Sequence, residues 1–497
     1  MSCCALASSP KGYWLIRCNV LGRVLTIDDL PDDDLLAIFD FYVVRCQDLS
    51  FPPLANQDTK KKIESWQSLV HVCRRWRGLV FGSPRRLNLQ LFCIPSRSAR
   101  ESLDVWLALP LLIQGNVSEA SVNNVIAKLE HSDRICQISL NFYTSQIENL
   151  WTAMQVPFPE LAVLLLGSMS IGPVLPDSFL GGSVPRLRSL ALLAIPFPGL
   201  PKLLLSATHL VHIRLLDIPH SGYISPEVMA TCLSMLTSLE TLQLRFESPQ
   251  SCPDNENRRS PPPTRSILPA LTFFSFKGVD EYLEDLVFWI DSPRLYNLST
   301  TFFDNTDFNT LELNQFFSRT PTLGAYDEAR LIFHSREALV RLRQFQPEPS
   351  DHRMVEVTIL CHASDRQLSS LAQICTLSLL PFLTMENLYI YEHRYSAPNW
   401  KDDIENTAWL DLLLPFTAVK NLYLSKQFLP RIAPVLQEFT GGRTTEILPT
   451  LQNVLLEGFQ PSEPVQEGIA QFISARQTTN HPVAISVWDR DLMWDRF

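Results

Sequence analysis

The sequence predicts an α/β protein in which a short all-α N-terminal segment precedes an irregular solenoid of strands and helices with a parallel sheet. Two observations indicate this fold. In the first 84 residues, apolar side chains recur at three, four and seven positions, which is the period of amphipathic helices. Farther along, leucines alternate with polar residues in short runs. These runs return roughly every 23 to 34 residues, a spacing typical of repeats built from one strand and one helix.

The N-terminal pattern predicts two amphipathic helices. A turn at Leu30 and Pro31 introduces the first helix, and three aspartates follow at the positive end of its dipole. Its apolar face consists of Leu35, Leu36, Ile38, Phe39, Tyr42 and Val43, and the second helix carries Leu69, Val72, Cys73, Trp76 and Val80. Two such helices bury too little apolar surface to be stable alone. We therefore expect them to pack on a partner or on the rest of the chain.

These residues resemble a known module. The pattern Leu30-Pro31, then Leu35-Leu36-x-Ile38-Phe39, and later Leu69-x-x-Val72-Cys73-Arg74-x-Trp76 is similar to the F-box, with which substrate adaptors bind Skp1 in cullin-RING ubiquitin ligases. From about residue 24 onward, the chain resembles basidiomycete-type fungal F-box proteins with leucine-rich C-terminal regions. The stretches HLVHIRLLDIPHSGYISPEVMATCLSMLTSLETLQLRFESP, LPALTFFSFKGVDEYLEDLVFWIDSPRL and HPVAISVWDR carry this likeness. The insert from Asp48 to Lys62 departs from the F-box pattern.

The resemblance implies a substrate-recognition adaptor with no catalytic residues, cofactor or metal of its own. Its F-box would bind Skp1, and through it a cullin, while the solenoid recruits an unknown protein substrate. The implied Skp1 contacts are Leu30, Pro31, Leu35, Leu36, Ile38, Phe39, Leu69, Val72, Cys73 and Trp76. The alternative is a ligase-independent interaction scaffold in which the N-terminal helices only cap the first repeat, as solenoid ends require. Burial of Leu30, Leu36 and Val72 against residues 85–115 would favour this cap.

The predicted organisation has three parts: a poorly ordered tail (1–25), an F-box-like helical domain (26–84) and a leucine-rich-repeat-like solenoid (85–497). Within the solenoid, residues 247–266 are rich in proline, serine, asparagine and arginine and are predicted to form a flexible loop. This loop is either a tolerated surface insertion or a substrate or regulatory segment, which phosphorylation at Ser260 could switch.

The solenoid prediction depends on copies of the form L-x-x-L-x-L. They begin at Ile135, Leu161, Leu187, Leu210, Leu239, Leu271 and Leu295, and weaker copies begin at Leu323, Val355, Met385, Val419 and Leu451. Proline often stands two residues before the first apolar position, where it removes no ladder donor. Helices are predicted between the strands, including one capped by Ser225 and one from Val279 to Ile290. The spacing is uneven, and no reliable asparagine ladder is evident.

Composition excludes several function classes. The formal charge of −10, from 52 acidic and 42 basic residues, argues against binding to nucleic acid or to a membrane surface. The 11 scattered cysteines indicate reduced thiols in an intracellular protein, cytoplasmic or nuclear. No apolar run reaches the length of a membrane span. The apolar patch around Trp14 is interrupted by Arg17, so we expect a tail rather than a signal peptide.

Motif inspection finds no enzyme site. The stretch from Gly167 to Gly172 lacks the spacing of a nucleophile elbow. His209 and His212 are predicted on opposite faces of one strand, where they could not share a metal. A basic cluster of Arg74, Arg75, Arg77, Arg85 and Arg86 is either a solvated helix face or a contact for an acidic partner.

The substrate-binding residues are unknown from the sequence. The face of the strands that carries the alternate polar side chains is the usual binding surface of a solenoid. Its candidates are Arg188, His212, Arg214, Gln243, Arg245, Lys277 and Tyr389. An error of one residue in the strand register would move them to the other face of the sheet.

Overall fold

The structure is a computed structural model of the chain. It describes residues 6–8, 14–16, 19–20, 23–24, 27–44, 66–84, 86–98, 103, 109–143, 148–251, 264–303, 311–324, 326–344, 353–376, 384–398, 400, 406–438, 446–458 and 463–489. The protein is a mixed α/β structure with a large, mostly parallel sheet and, over these residues, 13 helices. The chain divides into two compact units. Unit 1 comprises Met1–Met154 with Phe158–Val163, and unit 2 comprises Gln155–Pro157 with Leu164–Phe497.

Unit 1 begins with short strands. Strand β1 (Leu6–Ser8) pairs antiparallel with β2 (Trp14–Ile16), and β3 (Asn19–Val20) pairs antiparallel with β4 (Arg23–Val24). These pairs fall within the segment for which we expected a poorly ordered tail. Unit 1 therefore combines strands with helices and differs from a purely α-helical N-terminal part.

Three helices follow, where the sequence pattern predicted two. They are α1 (Asp32–Val44), α2 (Trp66–Val70) and α3 (Arg74–Gly82). The second predicted helix is broken because Cys73 is extended, and its Sγ accepts a hydrogen bond from the backbone N–H of Trp76. This is the geometry of an N-cap, so a new helix begins there. The insert at residues 48–62 lies outside the described residues.

The rest of unit 1 alternates strands and helices. Its elements are β5 (Leu91–Cys93), β6 (Leu111–Val117), α4 (Val122–Leu129), β7 (Ile135–Phe142) and α5 (Glu148–Ala153). Strand β6 pairs in parallel with both β5 and β7. Lys128 of α4 is fully buried, and its ammonium donates hydrogen bonds to the carbonyl oxygens of Ile94, at 2.7 Å, and Arg97, at 2.5 Å. These bonds satisfy a charge that would otherwise be costly to bury.

From β8 onward the same alternation continues into unit 2. The elements are β8 (Val163–Ser168), β9 (Ser189–Leu193), α6 (Leu200–Leu204), β10 (His212–Ile218), α7 (Pro226–Leu233), β11 (Thr241–Phe246), β12 (Ser266–Ile267), β13 (Phe273–Gly278), α8 (Asp280–Trp289), β14 (Ile290–Asp291), β15 (Asn297–Phe302), α9 (Leu311–Arg319), β16 (Glu328–Phe333), β17 (Glu337–Arg343), β18 (Met354–Leu360), α10 (Ser364–Thr376), β19 (Asn387–Glu392), α11 (Asn406–Leu413), β20 (Asn421–Leu424), α12 (Leu429–Glu438), β21 (Asn453–Glu457), α13 (Glu463–Thr478) and β22 (Ala484–Trp488).

The strand order in the sheet of unit 2 is β22-β21-β20-β19-β16-β17-β18-β15-β13-β11-β10-β9-β8. In this series β17 runs antiparallel to both β16 and β18. The pairs from β9 to β15, the pair of β15 with β18, the pair of β16 with β19 and the pairs from β19 to β22 are parallel. The sheet is therefore mostly parallel, as the predicted parallel sheet requires, and β17 is an exception that the sequence pattern did not predict. A short turn after Phe333 joins β16 directly to β17, and a turn this short allows only antiparallel pairing. The copy predicted at Leu323 is a 3₁₀ turn, Pro321–Leu323, that precedes β16.

Alternation along the strands places every second side chain in the core. In β11, Leu242 and Leu244 are buried whereas Gln243 is half-buried and Arg245 is exposed. The buried face of the sheet is the face covered by the helices, since Met229 of α7 and Tyr282 of α8 line the same apolar cavity as Leu215 and Phe246 of the strands. Ser225 caps α7 by accepting a hydrogen bond from the N–H of Val228, as predicted.

An asparagine ladder crosses three neighbouring strands. The side-chain amide of Asn421 donates to Oδ1 of Asn387 at 2.9 Å, and that of Asn453 donates to Oδ1 of Asn421 at 2.8 Å. The three residues occupy the same register position at the beginning of β19, β20 and β21. Our reading that no reliable ladder exists is corrected, because the ladder becomes evident only when the strand register is known.

The predicted loop at residues 247–266 is described only at its ends. A 3₁₀ turn, Pro249–Ser251, stands at its beginning, and β12 at its end pairs in parallel with β14. The remaining residues, 252–263, lie outside the described part. Over the residues that the structure describes, no helix is both long and apolar enough to span a membrane.

Replacing the buried Arg476 by methionine is expected to lower the free energy of unfolding by about 1–3 kcal/mol. Arg476 of α13 is fully buried, and its guanidinium donates to the carbonyl oxygens of Leu448, at 2.8 Å, and Leu451, at 3.5 Å. Methionine fills the space but leaves both carbonyls without this donor. Urea unfolding of the variant measures the loss, with Arg188→Met at an exposed position as control. Equal losses in the two variants would contradict the assignment.

Candidate functional site

The three N-terminal helices share one core. Phe39 of α1 and Trp76 of α3 are in ring contact, with centroids 4.7 Å apart. The buried apolar side chains are Leu35, Leu36, Phe39 and Val43 from α1, Trp66, Leu69 and Val70 from α2, and Trp76 and Val80 from α3. The indole N–H of Trp66 donates to the carbonyl oxygen of Gln90 at 3.0 Å, which attaches the helices to the chain just before β5.

The acidic beginning of α1 is paired with arginines that follow Cys73. The guanidinium of Arg75 donates to Oδ1 of Asp32, at 2.6 Å, and to the carbonyl oxygen of Leu30. Arg86 forms an ion pair with Asp33 at 3.2 Å. Both ion pairs are largely solvent-exposed, so each contributes about 0–1 kcal/mol to stability and mainly orients α3 against the beginning of α1.

These contacts add intramolecular partners to our interpretation of the basic cluster. We had considered a solvated face or a contact for an acidic partner. Arg75 and Arg86 instead bind the aspartates of α1, and Arg77 donates to the carbonyl oxygen of Val70. Arg74 is exposed, and Arg85 lies outside the described residues. Cross-helix pairing of this kind depends on residues more than 40 positions apart, so the local charge pattern could not reveal it.

The predicted Skp1-contact residues occupy three kinds of environment. Leu35, Leu36, Phe39, Leu69 and Trp76 are buried in the core of the helices. Leu30 and Cys73 are half-buried, and Pro31, Ile38 and Val72 are exposed. A side chain in the core cannot contact a partner while the helices remain packed. The buried set thus shapes the module, and only the exposed set is available for direct contact.

An apolar stripe lies on the solvent side of α1. Ile38, Phe41 and Tyr42 have exposed fractions of 44%, 66% and 48%, and Val72 in the turn before α3 has 58%. The three α1 residues are spaced at i, i+3 and i+4, so they form one continuous face. We call Ile38, Phe41, Tyr42 and Val72 the exposed apolar stripe. Four large apolar side chains exposed in one short module are typical of a protein-binding surface.

Phe41 was not among the residues that the sequence pattern singled out. A signal was available, because Phe41 stands three positions after Ile38. The helix therefore carries a second apolar face besides the one that includes Leu35 and Phe39. A helix with two apolar faces can bury one in its own core and present the other to a partner.

The remaining polar candidates do not form a metal centre. Among the residues described, no group of three or more His, Cys, Asp or Glu side chains could hold a metal ion. His334 and His393 stack with ring centroids 4.4 Å apart. The pKa of His334 is lowered to about 4. Burial is the largest cause, and the nearby His393 and Arg341 lower the pKa further. His209 is exposed and precedes β10, whereas His212 begins that strand.

The exposed apolar stripe, together with the core that supports it, is the strongest functional feature of unit 1. Its chemistry suits the docking of another apolar protein surface. Neither a protein-family model nor any curated protein matches this sequence.

Proposed function

We propose that this chain is a substrate-recognition adaptor of a Skp1–cullin–F-box type ubiquitin ligase. The three N-terminal helices act as an F-box-like module that docks on a Skp1-like subunit, and the strand–helix array acts as a leucine-rich-repeat-like solenoid that recruits a protein substrate. The observation that carries the proposal is the exposed apolar stripe, whose large apolar side chains stay solvent-exposed while the helices bury a separate core.

Two features support the second half of the proposal. The parallel strands alternate with helices in chain order over most of unit 2. The asparagine ladder of β19, β20 and β21 repeats the same side-chain hydrogen bond from strand to strand. Repeated strand–helix units with inward-facing leucines and a polar ladder are the pattern of leucine-rich solenoids.

The alternative is a ligase-independent scaffold in which the helices cap the array. The hydrogen bond from the indole N–H of Trp66 to the carbonyl oxygen of Gln90 favours a cap. The exposure of Val72 and the partial exposure of Leu30 do not. The two roles are compatible, because the buried side of the helices can serve the cap while the exposed apolar stripe binds Skp1.

Replacing Ile38 by glutamate is expected to weaken binding of the intact chain to purified Skp1 by about thirtyfold, since loss of an interface anchor costs about 2 kcal/mol. Ile38 is 44% exposed, so the substitution leaves the core intact. Surface plasmon resonance measures the affinity. Val228→Glu, on α7 and 42% exposed, is the matched control and retains full binding. If the intact chain does not bind Skp1, or if Ile38→Glu binds as tightly as the parent, the proposal is wrong.

A further inference from the structure

Five adjacent strands of unit 2 present a polar face on the side of the sheet away from the helices. The strands β9, β10, β11, β13 and β15 are parallel, and their register is continuous except for a shift between β10 and β11 at Leu215 to Ile218. One row across this face consists of Ala191, Arg214, Gln243, Ser275 and Ser299, and the next contains Arg245, Lys277 and Thr301. The intervening residues of these strands, such as Ile213 and Leu242, are buried on the helix side.

This polar face carries positive charge. Its cations are Arg214, Arg245 and Lys277, and the exposed Arg188 stands directly before β9. No side chain in the two rows named above is acidic; Asp217, the acidic residue of β10, lies in the bulge between Leu215 and Ile218, opposite Arg245. We call this surface, on β9, β10, β11, β13 and β15, the basic face. It contrasts with the net charge of −10 of the whole chain.

On neighbouring strands, ion pairs with glutamates neutralise arginine side chains. On β17 and β18, Nε of Arg341 lies 2.6 Å from Oε2 of Glu356, and on β16 Arg330 forms an ion pair with Glu328. On the basic face, by contrast, Arg188 and Arg245 make no ion pair with any described residue. Their charge is therefore available to a ligand.

Uncharged donors stand among these cations. The side chains of Gln243, Ser275 and Ser299 make no hydrogen bond with other described residues. Lys277 lies over the ring of Phe303, with Nζ 5.4 Å from its centroid, and its backbone position is the register partner of Arg245 on β11. Arginine, lysine, amide and hydroxyl groups are together the donor set that recognises carboxylates.

The surroundings of the basic face favour a short acidic ligand over a long polyanion. The carboxylates of Glu240 and Glu247 stand immediately before and after β11 and mark the two ends of the face. Five strands span only about 20 Å. A nucleic acid would extend beyond the basic face into these carboxylates and into a protein that is acidic as a whole.

We propose that the basic face binds an acidic segment, rich in aspartate and glutamate, of a partner protein. This inference rests on the proposed function, since it names the chemical class of the protein that the array recruits. Arg245 and Lys277 supply adjacent positive charges, Arg214 supplies a third, and the hydroxyl and amide groups between them donate hydrogen bonds to the carboxylates.

The test is fluorescence anisotropy of the intact chain with a short fluorescein-labelled peptide of alternating glutamate and serine. We expect Arg245→Glu/Lys277→Glu to weaken binding at least about tenfold, because two attractive charges become repulsive. The control Lys202→Glu/Arg336→Glu makes the same change in net charge away from the basic face, and its affinity stays within about twofold of the parent's. A peptide with glutamine in place of glutamate is expected not to bind.

Three results would overturn the proposal: equal affinity of the charge-reversed variant and the parent, equal affinity for the glutamine peptide, or tighter binding of a single-stranded oligonucleotide than of the acidic peptide. The experiment needs no Skp1, so its outcome is separate from that of the docking test. Ile38→Glu is expected to bind the acidic peptide normally, and Arg245→Glu/Lys277→Glu is expected to bind Skp1 normally.

Discussion

Replacing Trp76 by alanine is expected to lower the free energy of unfolding of the N-terminal helices by about 3–5 kcal/mol, the usual cost of removing a buried tryptophan side chain. Trp76 is only 9% exposed, and its ring contacts Phe39 of α1. The backbone N–H of Trp76 also donates a hydrogen bond to Sγ of the N-cap residue Cys73, so Trp76 stands where α3 begins. Its removal leaves a cavity between α1 and α3 that two short helices cannot fill.

Hydrogen–deuterium exchange of the intact chain measures this effect. We expect faster amide exchange across residues 32–44 and 66–82, with unit 2 unchanged. Trp76→Phe retains most of the ring and is expected to recover much of the protection. Unchanged exchange in Trp76→Ala would show that the side chain is not part of the core that we describe.

Hydrogen–deuterium exchange distinguishes two causes of weakened Skp1 binding: unfolding of the helices and loss of a surface contact. Trp76→Ala is expected to abolish Skp1 binding by unfolding the module, whereas Ile38→Glu is expected to weaken Skp1 binding about thirtyfold with normal exchange protection. The burial of Trp76 favours this indirect role over the direct Skp1 contact that the F-box resemblance implies, because a side chain in the core shapes the surface without touching the partner.

Raising the pH from about 4.5 to about 7 is expected to lower the free energy of unfolding through Glu284, by about 3 kcal/mol in total. Burial raises the pKa of this carboxyl from 4.5 to about 7. Hydrogen bonds from the backbone N–H groups of Glu312, at 2.7 Å, and Leu313, at 2.9 Å, lower the pKa and offset only part of the effect of burial. Glu284 of α8 thus caps the beginning of α9 from a position that is only 6% exposed.

The direction of this pH effect on the free energy of unfolding follows from the number of protons bound in each state. In the unfolded chain Glu284 ionises near pH 4.5, whereas in the folded protein it holds its proton to about pH 7. Between these values the folded state binds more protons, so stability falls as the pH rises. The stabilising contribution of Glu284 to the free energy of unfolding is fully present below about pH 4.5 and is lost as the pH rises through about 7.

Urea unfolding at stepped pH values, for the parent and for Glu284→Gln, isolates this contribution. The variant cannot ionise at this position, so the difference between the two curves reports Glu284 alone. We expect that difference to change by about 1.4 kcal/mol per pH unit at its steepest. A difference that stays constant across the window, or that changes in the opposite direction, would contradict the assignment.

Much of the fold could be predicted from local patterns. Helix α1 begins at Asp32, directly after the predicted turn, and α8 spans Asp280–Trp289 where Val279 to Ile290 was expected. The alternation in β10, β11 and β13 placed Arg214, Gln243 and Lys277 on the same face, as the register confirms. Tyr389, in contrast, is 5% exposed and in ring contact with Tyr423 and Trp488, so it belongs to a buried aromatic cluster.

Local periodicity was therefore enough to place α1 and α8 and the alternation of β10, β11 and β13, because these properties depend on neighbours a few positions apart. It could not predict the break at Cys73, the antiparallel β17, the asparagine ladder or the pairing of Arg75 with Asp32. Nor could it divide the apolar residues of α1 into a core and an exposed stripe. These features arise from contacts between distant segments, which form only when the chain packs in three dimensions.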